Sequence, residues 1–220
     1  MIKLENISKK YNEVVPLKKI NLEIQDGEFV SIVGTSGSGK TTLMNILGTL
    51  DMPTEGNYFL DNLHINSAKI NDLAKIRNQK IGFIFQNFNL IPKLTALENV
   101  ELPLVFAGVE KSKRKVICEV ALEKVGLSHR KQHKPTQMSG GQQQRVAIAR
   151  AIAMSPPIIL ADEPTGNLDP TSSKEILEIL NNLNLDGRLI ILITHDMKVA
   201  QSAKRIISIE NGNIVSDDYQ

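Results

Sequence analysis

The fold is decided by the stretch Gly34-Thr35-Ser36-Gly37-Ser38-Gly39-Lys40-Thr41, which fits the phosphate-binding pattern G-x-x-x-x-G-K-[S/T]. Residues 29–33 before it are apolar and typical of a buried strand, and a helical pattern follows it. Glycines allow backbone N–H groups to converge on phosphate oxygens, the helix start adds a positive dipole, and Lys40 adds a full charge. The stretch therefore predicts a site for nucleotide phosphates, with the Thr41 hydroxyl as a ligand of Mg²⁺.

The helix after this stretch is expected to begin beside Lys40 and to pack one face against a sheet. Its apolar residues recur at helical spacing, at Leu43, Ile46, Leu47 and Leu50. A mobile Gly/Ser loop without a ligand is the alternative explanation of the stretch. The strand pattern directly before it and the helix pattern directly after it argue against that alternative.

Two carboxylates follow a second short apolar segment, residues 158–161, which is typical of a buried parallel strand. Asp162 and Glu163 thus stand at the strand end where ligands bind in α/β sheets. Neighbouring strand residues point to opposite faces, so we expect these two to have different roles. We assign Asp162 to the Mg²⁺ shell and Glu163 to the attacking water. Two solvated acids on a surface are the alternative, which the nearby phosphate stretch disfavours.

Two further polar residues follow apolar strands. His195 comes after residues 189–193 and Thr194, and from a neighbouring strand end it could reach the terminal phosphate. Gln86 comes directly after residues 81–85 and is a candidate ligand of Mg²⁺ and sensor of the attacking water. Taken alone, a histidine at such a position is more often structural. A single glutamine there does not by itself indicate a function.

A second anion site is predicted at Ser139-Gly140-Gly141-Gln142. Ser139 is a good N-cap, and together with Gln142 it fits a capping box, so a well-made helix start explains the pattern by itself. However, two consecutive glycines beside the cap expose backbone N–H groups at the positive end of a helix dipole. We therefore expect one chain to carry two phosphate-binding helix ends.

The order of segments predicts one α/β domain over residues 1–220. Strand patterns occupy its first part, at residues 1–7, 21–24, 28–33 and 57–60. From about residue 87 the pattern is helical, with a capping box at Thr95 and an amphipathic helix that carries Val116, Val120 and residues 122–125 and ends at Gly126. After Pro156 the α/β pattern resumes, with a helix at residues 173–183 and a terminal hairpin around Asn211-Gly212.

This pattern predicts a P-loop core with a mainly parallel sheet, an N-terminal antiparallel β subdomain and a helical subdomain insert. Residues 1–86 and 156–220 are expected to form the nucleotide-binding α/β core, and residues 87–155 the helical subdomain. Nothing in the sequence requires a second independent domain.

Taken together, the motifs resemble the ATP-binding-cassette ATPases over nearly the whole chain. The phosphate stretch, Gln86, the Ser139 segment, Asp162-Glu163, Asn167-Leu168-Asp169 and His195 occur in the order found in that family. Met138 departs from the leucine that is usual there, a swap that conserves volume. The resemblance implies binding and hydrolysis of ATP with Mg²⁺.

The same resemblance implies a head-to-tail homodimer. In it, Ser139, Gly140, Gly141 and Gln142 of one subunit would cap the γ-phosphate held by residues 34–42, including Thr42, of the other. Asp169 would lie at the seam between the subunits. Tyr11 would stack on adenine, although on the residues alone a half-buried aromatic at a strand end is an equally good explanation.

Residues 34–56, 81–104 and 142–169 are most similar to the subgroup that serves lipoprotein release, macrolide export and antimicrobial-peptide resistance. This resemblance implies a membrane permease as partner, contacted near residues 87–93, and a location on the inner face of the cell membrane. Phe88, Leu90 and Ile91 are apolar enough for such a contact, or for core packing.

Two other classes of protein remain as alternatives. Soluble cassette ATPases of DNA repair or chromosome organisation usually insert coiled coils or zinc-binding cysteines, whereas this chain has one cysteine and a short insert. A small-molecule kinase would leave the Ser139 segment and Glu163 without a role.

Composition and charge limit the setting of the chain. The 26 basic and 24 acidic residues leave a net charge of +2, which gives no reason to expect nucleic acid as a partner. Cys118 has no second cysteine to pair with, which favours a reducing compartment and a buried structural role. No apolar run reaches the length of a membrane span, and residues 1–6 lack the pattern of a signal peptide, so we expect a cytoplasmic protein.

Overall fold

The computed structural model describes residues 1–220, and its ten strands form two sheets. The strands are β1 Ile2–Tyr11, β2 Val14–Ile24, β3 Phe29–Val33, β4 Glu55–Leu60, β5 Leu63–His64, β6 Ile81–Phe85, β7 Ile158–Asp162, β8 Leu189–Thr194, β9 Arg205–Glu210 and β10 Asn213–Tyr219. The helices are α1 Lys40–Leu47, α2 Ile70–Lys80, α3 Ala96–Phe106, α4 Lys111–Lys124, α5 Gly140–Ile152, α6 Pro170–Leu185 and α7 Met197–Ala200.

The larger sheet has the order β10-β9-β3-β8-β7-β6, and every neighbouring pair is parallel except β10 with β9. Its central strands β3 and β8 are buried along their whole length, as expected for parallel strands covered on both faces. Alternate residues of β8 enter different cores: Ile191 packs with the α1 side and Ile190 with the α5 and α6 side. The predicted α/β core with a mainly parallel sheet is confirmed.

The smaller sheet is antiparallel, with the order β2-β1-β4-β5, and it shares a core with α1. The predicted N-terminal β subdomain is therefore present, but its first two strands are longer than the sequence indicates. Breaks in the pairing register between Leu4 and Tyr11 interrupt the alternation of apolar and polar residues. Asn12, at a positive φ of 51°, then makes the turn into β2.

The helices α3, α4 and α5 pack on one another between β6 and β7 in the chain. Both predicted capping boxes are present, at Thr95 for α3 and at Ser139 for α5. Cys118 is fully buried, as expected. None of the helices combines the length and apolar character that a bilayer span requires.

Three helical predictions need correction. On α4, Val116 and Val120 are 61% and 48% exposed, whereas Leu122 and Val125 of the same predicted stripe are buried. Leu50 lies beyond the end of α1 at Leu47 and is 47% exposed. The helix expected at 173–183 begins earlier, since Asp169 caps it and a proline occupies its first position.

The terminal hairpin is confirmed. Asn211 and Gly212 make its turn with positive φ values of 48° and 82°, which is why this dipeptide suits it. The second strand continues to Tyr219 and pairs with β9 along its length.

Candidate active site

Ten of the predicted site residues meet at one edge of the parallel sheet. Because β3, β8, β7 and β6 are neighbours in that order, the loops after them lie side by side. They border a cleft of about 850 Å³. Its lining includes Gly34, Thr35, Ser36, Gly37, Lys40, Thr41, Gln86, Asp162, Glu163 and His195. The sheet thus gathers residues that lie more than a hundred positions apart in the sequence.

The phosphate stretch connects β3 to α1 with an exposed helix start. Gly39 occupies the N-cap position with φ of 109°, and no side chain caps the helix. The N–H groups of the first turn are therefore free of side-chain acceptors, in a segment whose dipole favours an anion. A side chain at Gly39 is excluded, because its Cβ would lie 2.4 Å from the carbonyl oxygen of Pro16.

The terminal hairpin β9–β10 contacts the phosphate loop and supports it. Gly212 N–H donates to the Ser38 carbonyl at 3.0 Å. A Cβ on Gly34 would come 2.3 Å from the carbonyl oxygen of Ile209 in β9, so only glycine fits there. Sequence reasoning missed this support, since the hairpin and the loop are connected only through the folded sheet.

Lys40 is held inside its own loop. Its ammonium nitrogen donates to the carbonyl oxygens of Gly34 and Thr35 at 2.7 and 2.8 Å. These two bonds use two of the three ammonium hydrogens. The third hydrogen is available to a phosphate oxygen, and the charge lies within the cleft.

Asp162 is the last residue of β7, and the chain turns at Glu163. Burial raises the pKa of Asp162, and the neighbouring Glu163 adds to this, while Lys40 opposes it. The alternation along a strand, from which we expected different roles for these two residues, does not apply, because the strand ends at Asp162. Glu163 has left the strand with φ of 44°, and its N–H donates to the Ile193 carbonyl of β8 at 2.8 Å.

The Glu163 carboxylate is fixed by the end of β8. Its Oε1 accepts from His195 N–H at 2.9 Å and lies 2.6 Å from His195 Nδ1. Its Oε2 accepts from the Thr194 hydroxyl at 3.0 Å. The carboxylate is 17% exposed, whereas the His195 ring is 70% exposed. The sequence placed Glu163 and His195 at adjacent strand ends, but their direct contact and the part of Thr194 were not foreseen.

Gln86 is tied to the loop that follows Glu163. Its Nε2 donates to Asn167 Oδ1 at 3.2 Å, and Asn167 Nδ2 donates back to the Gln86 carbonyl at 3.3 Å and to Asn87 Oδ1 at 3.0 Å. The position of Gln86 therefore depends on Asn167, which sequence reasoning recognised only as part of a motif.

Helix α5 also holds the segment around Gln86. Gln144 is fully buried and its Nε2 donates to the carbonyls of Phe85 and Pro164, at 3.2 and 2.7 Å. Arg150 donates to the carbonyls of Phe88 and Asn89, at 2.9 and 2.5 Å. The sequence indicates neither role: a run of three glutamines does not show which of them is turned inward, and the partners of Arg150 lie 61 and 62 positions away in the chain.

The Ser139 segment lies outside the cleft of its own chain. It packs beside the loop after Glu163 and the start of α6: a Cβ on Gly140 would lie 3.3 Å from Leu168, and one on Gly141 would lie 2.6 Å from Ser172 Oγ. Asp169 caps α6 by accepting from Ser172 N–H at 3.0 Å. Within one chain, therefore, the two predicted phosphate-binding helix ends do not meet.

Tyr11 and Thr42 also lie outside the lining of the cleft. Tyr11 stands at the end of β1, and its hydroxyl donates to Asp51. The ring is 42% exposed. Thr42 follows the phosphate stretch in the first turn of α1.

A family model described as ABC transporter matches residues 17–166. The chain belongs to the ABC transporter family. It is 54% identical to an uncharacterized ABC transporter ATP-binding protein, YvrO of Bacillus subtilis, over 99% of this chain and 97% of that protein. It is 48% identical to the macrolide export ATP-binding/permease protein MacB of Escherichia coli over 99% of this chain and 34% of MacB.

The fold agrees with a solved ABC cassette. The chain superposes with a TM-score of 0.91 and 49% identity on the cassette MJ0796 of Methanocaldococcus jannaschii, over 100% of this chain and 98% of that one. That structure is a dimer in a post-hydrolysis state, bound to ADP and phosphate. As a member of this family, the chain is an ABC-type ATPase subunit that binds and hydrolyses ATP.

Proposed function

We propose that this ABC subunit holds the ATP phosphates with the loop at residues 34–42 and with Lys40. The observation that carries the proposal is the single cleft in which this loop faces Asp162 and Glu163. The free N–H groups at the start of α1 and the third Lys40 hydrogen supply donors for phosphate oxygens. Tyr11, close to α1, would stack on the adenine base.

The residues at the cleft also suit Mg²⁺. Thr41, Gln86 and Asp162 offer a hydroxyl, an amide oxygen and a carboxylate within the same lining, and oxygen donors are the ligands that Mg²⁺ prefers. Burial and Glu163 disfavour the charged form of Asp162, so a cation there would relieve an existing electrostatic cost. When bound, the ion would neutralise charge on the β- and γ-phosphates.

Glu163 would align and polarise the water that attacks the γ-phosphate. Its carboxylate cannot swing freely, since Thr194 and His195 hold both oxygens. Such fixed positioning is the main contribution a protein makes to phosphoryl transfer. The exposed His195 ring would approach the γ-phosphate from the same side.

The catalytic site would be completed by a second copy of the chain. The Ser139 segment does not line the cleft of its own chain, yet it begins helix α5, and a helix N-terminus suits an anion. In a head-to-tail pair, Ser139, Gly140, Gly141 and Gln142 of one copy would cap the γ-phosphate bound by the other, with Asp169 at the seam. The dimeric MJ0796 cassette supports this arrangement.

We further propose that the dimer drives a membrane permease, in an export-type or force-transmitting complex. The similarity to the ATPase part of MacB supports this, and it would place the chain on the inner face of the membrane. Ile91, which is 43% exposed and follows Gln86 closely, belongs to the proposed contact at residues 87–93. Residues 87–155 would move as a helical subdomain against a core of residues 1–86 and 156–220.

The test of this function is the variant Glu163→Gln. It removes the water-activating charge but keeps the shape and the phosphate-binding groups, so ATP should be bound without turnover and should trap a dimer on gel filtration. ADP in place of ATP is the control, and it should leave the variant monomeric. Adding Lys40→Ala should abolish the ATP-trapped dimer. A Glu163→Gln chain that stays monomeric at saturating ATP would refute the paired site.

A further inference from the structure

Tyr11 is part of a hydrogen-bonded cluster that lies outside the lining of the cleft. Its hydroxyl donates to Asp51 Oδ2, and the Thr42 hydroxyl lies beside it. Asp51 follows the end of α1, forty positions along the chain from Tyr11. The cluster therefore connects the end of β1 to both ends of the helix that begins at the phosphate loop.

The carboxylate of Asp51 is itself firmly held. Lys9 Nζ donates to its Oδ1 at 2.6 Å, and the Met52 N–H donates to the same oxygen at 2.7 Å. Lys9 also donates to the Met52 carbonyl at 2.7 Å, and its side chain is only 12% exposed. Burial would raise the pKa of Asp51, but the hydrogen bonds from Lys9 and Tyr11 outweigh it and lower that pKa. Asp51 thus remains a charged acceptor.

The ring of Tyr11 has one occupied face. Lys9 Nζ lies 4.8 Å from the ring centroid, within the range of a cation–π contact. Burial and the neighbouring Asp51 raise the pKa of Tyr11 to about 12, so its phenol remains a proton donor at neutral pH. With a cation on one face and the hydroxyl anchored, the opposite face is the one left for a flat ligand.

We propose that Asp51 and Lys9 are positioning residues that fix the Tyr11 ring for stacking on the adenine base of the nucleotide. This inference rests on the proposed adenine contact of Tyr11. A tyrosine whose ring is already fixed has little conformational entropy to lose when the base binds. Releasing the ring should therefore weaken binding by about 2- to 12-fold, the range expected for ordering one side chain.

The effect must depend on the base and not on the phosphates. ADP and inorganic pyrophosphate are suitable probes, because both present a diphosphate to the loop and only ADP carries a base. ADP also avoids turnover during the measurement. Isothermal titration of both ligands gives the ratio of their affinities for each variant, and that ratio isolates the contribution of adenosine.

Two conservative variants separate positioning from stacking. Tyr11→Phe keeps the ring but removes the hydroxyl that Asp51 holds, and Asp51→Asn removes the charge that holds Lys9 and the hydroxyl. Each should weaken ADP binding by about 2- to 12-fold and leave pyrophosphate binding unchanged. Because both act through one contact, the double variant should lose little more than either single one. Thermal melts verify folding.

Tyr219→Phe is the matched control. Tyr219 is also an exposed tyrosine with a cation at its ring, Arg205 at 5.2 Å, but it lies on the terminal strand β10. Its variant should bind ADP like the unmodified chain.

Three outcomes would overturn parts of this scheme separately. If Tyr11→Ala leaves the ratio of ADP to pyrophosphate affinity unchanged, the adenine contact itself is wrong. If Tyr11→Ala lowers that ratio but Tyr11→Phe and Asp51→Asn do not, Tyr11 stacks without help from Asp51 and Lys9. If the variants weaken pyrophosphate as much as ADP, the cluster acts on the phosphate loop, and the inference fails.

Discussion

The contact between the His195 ring and the Glu163 carboxylate joins the ends of two neighbouring strands. The ring contributes one of three hydrogen-bonding groups that hold the carboxylate, the others being the His195 N–H and the Thr194 hydroxyl. The orientation of Glu163 should therefore depend on the ring in part and not entirely. This makes His195 a sharper probe of positioning than Glu163 itself.

We predict that His195→Ala lowers the rate of ATP turnover by roughly 10²-fold, the lower end of the range for groups that serve proton transfer, with little change in ATP affinity. The loss should be smaller than for Glu163→Gln, since two holding groups remain. Phosphate release under saturating ATP measures the rate. His129→Ala, which changes an exposed histidine far from the cleft, should behave like the unmodified chain. Full activity of His195→Ala would contradict the assigned role.

Asp162 allows a prediction about pH. Burial and Glu163 raise its pKa in the folded chain, so its ionisation opposes folding. Stability is complete below the ordinary pKa of an aspartate and is lost as the pH rises from there through the raised value. Asp162→Asn should therefore raise the melting temperature of the nucleotide-free chain at neutral pH, and the gain should vanish at acid pH.

Melting curves at several pH values, without nucleotide or Mg²⁺, measure this effect. Asp218→Asn is the control, because Asp218 is exposed and lies on the terminal strand β10, outside the cleft lining. A neutral-pH melting temperature of Asp162→Asn equal to or below that of the unmodified chain would show that other contacts of the carboxylate dominate.

At the level of the elements, the β9–β10 hairpin supports the phosphate loop, a role that the hairpin sequence by itself does not predict. Gly212 in its turn donates to Ser38 in the phosphate loop, and a Cβ there would come 2.7 Å from the Pro16 carbonyl. Gly187 has a similar φ of 91°, but a Cβ there would meet nothing within 4 Å. Comparing alanine variants of the two glycines therefore distinguishes the cost of backbone strain from the cost of losing the contact between the hairpin and the phosphate loop.

We predict that Gly187→Ala costs about 1–2 kcal/mol of unfolding free energy, the strain of a left-handed residue with a side chain. Gly212→Ala should cost roughly 1–3 kcal/mol more, from the added steric conflict. It should also weaken ATP binding, whereas Gly187→Ala should not. Urea unfolding and nucleotide titration provide the two measurements. Equal stability of the two variants would mean that the hairpin does not brace the loop.

The sequence predicts a site residue when that residue follows an apolar strand pattern, and it does not predict the others. Lys40, Gln86, Asp162 and His195 each follow an apolar strand pattern, and parallel strands bring such ends together without further information. Asp51, Gln144 and Gly212 follow no such rule. Their partners are chosen by the way the two sheets and α5 pack, and single-sequence periodicity carries no signal for contacts between distant elements.

The same distinction explains the errors in the elements. On α4 the sequence offers two apolar stripes, and only packing against α3 and α5 decides that Val116 and Val120 lie on the exposed side. In β1 the irregular register hides the strand pattern before Tyr11. Caps were found correctly at Thr95 and Ser139, because capping is a local interaction.

For the whole molecule, the separation of the Ser139 segment from the cleft predicts that activity depends on concentration. If two chains must pair, ATP turnover per chain should fall on dilution, while binding of ADP, which lacks the γ-phosphate that the partner would cap, should not. Phosphate release and titration over a dilution series measure the two quantities. Ser139→Arg, which places a bulky side chain at the cap, should abolish turnover at every concentration. Turnover per chain that stays constant on dilution, and survives in Ser139→Arg, would exclude pairing.

The bonds that Lys40 makes within its own loop bear on how spent nucleotide leaves. When ADP departs, the ammonium group still has the Gly34 and Thr35 carbonyls as acceptors, at 2.7 and 2.8 Å. A buried donor left without any acceptor would cost about 1–3 kcal/mol or more, which would add to the barrier for exit. Because Lys40 keeps two acceptors in the loop, ADP release avoids that penalty. The next ATP can then bind without a rearrangement of the Lys40 side chain.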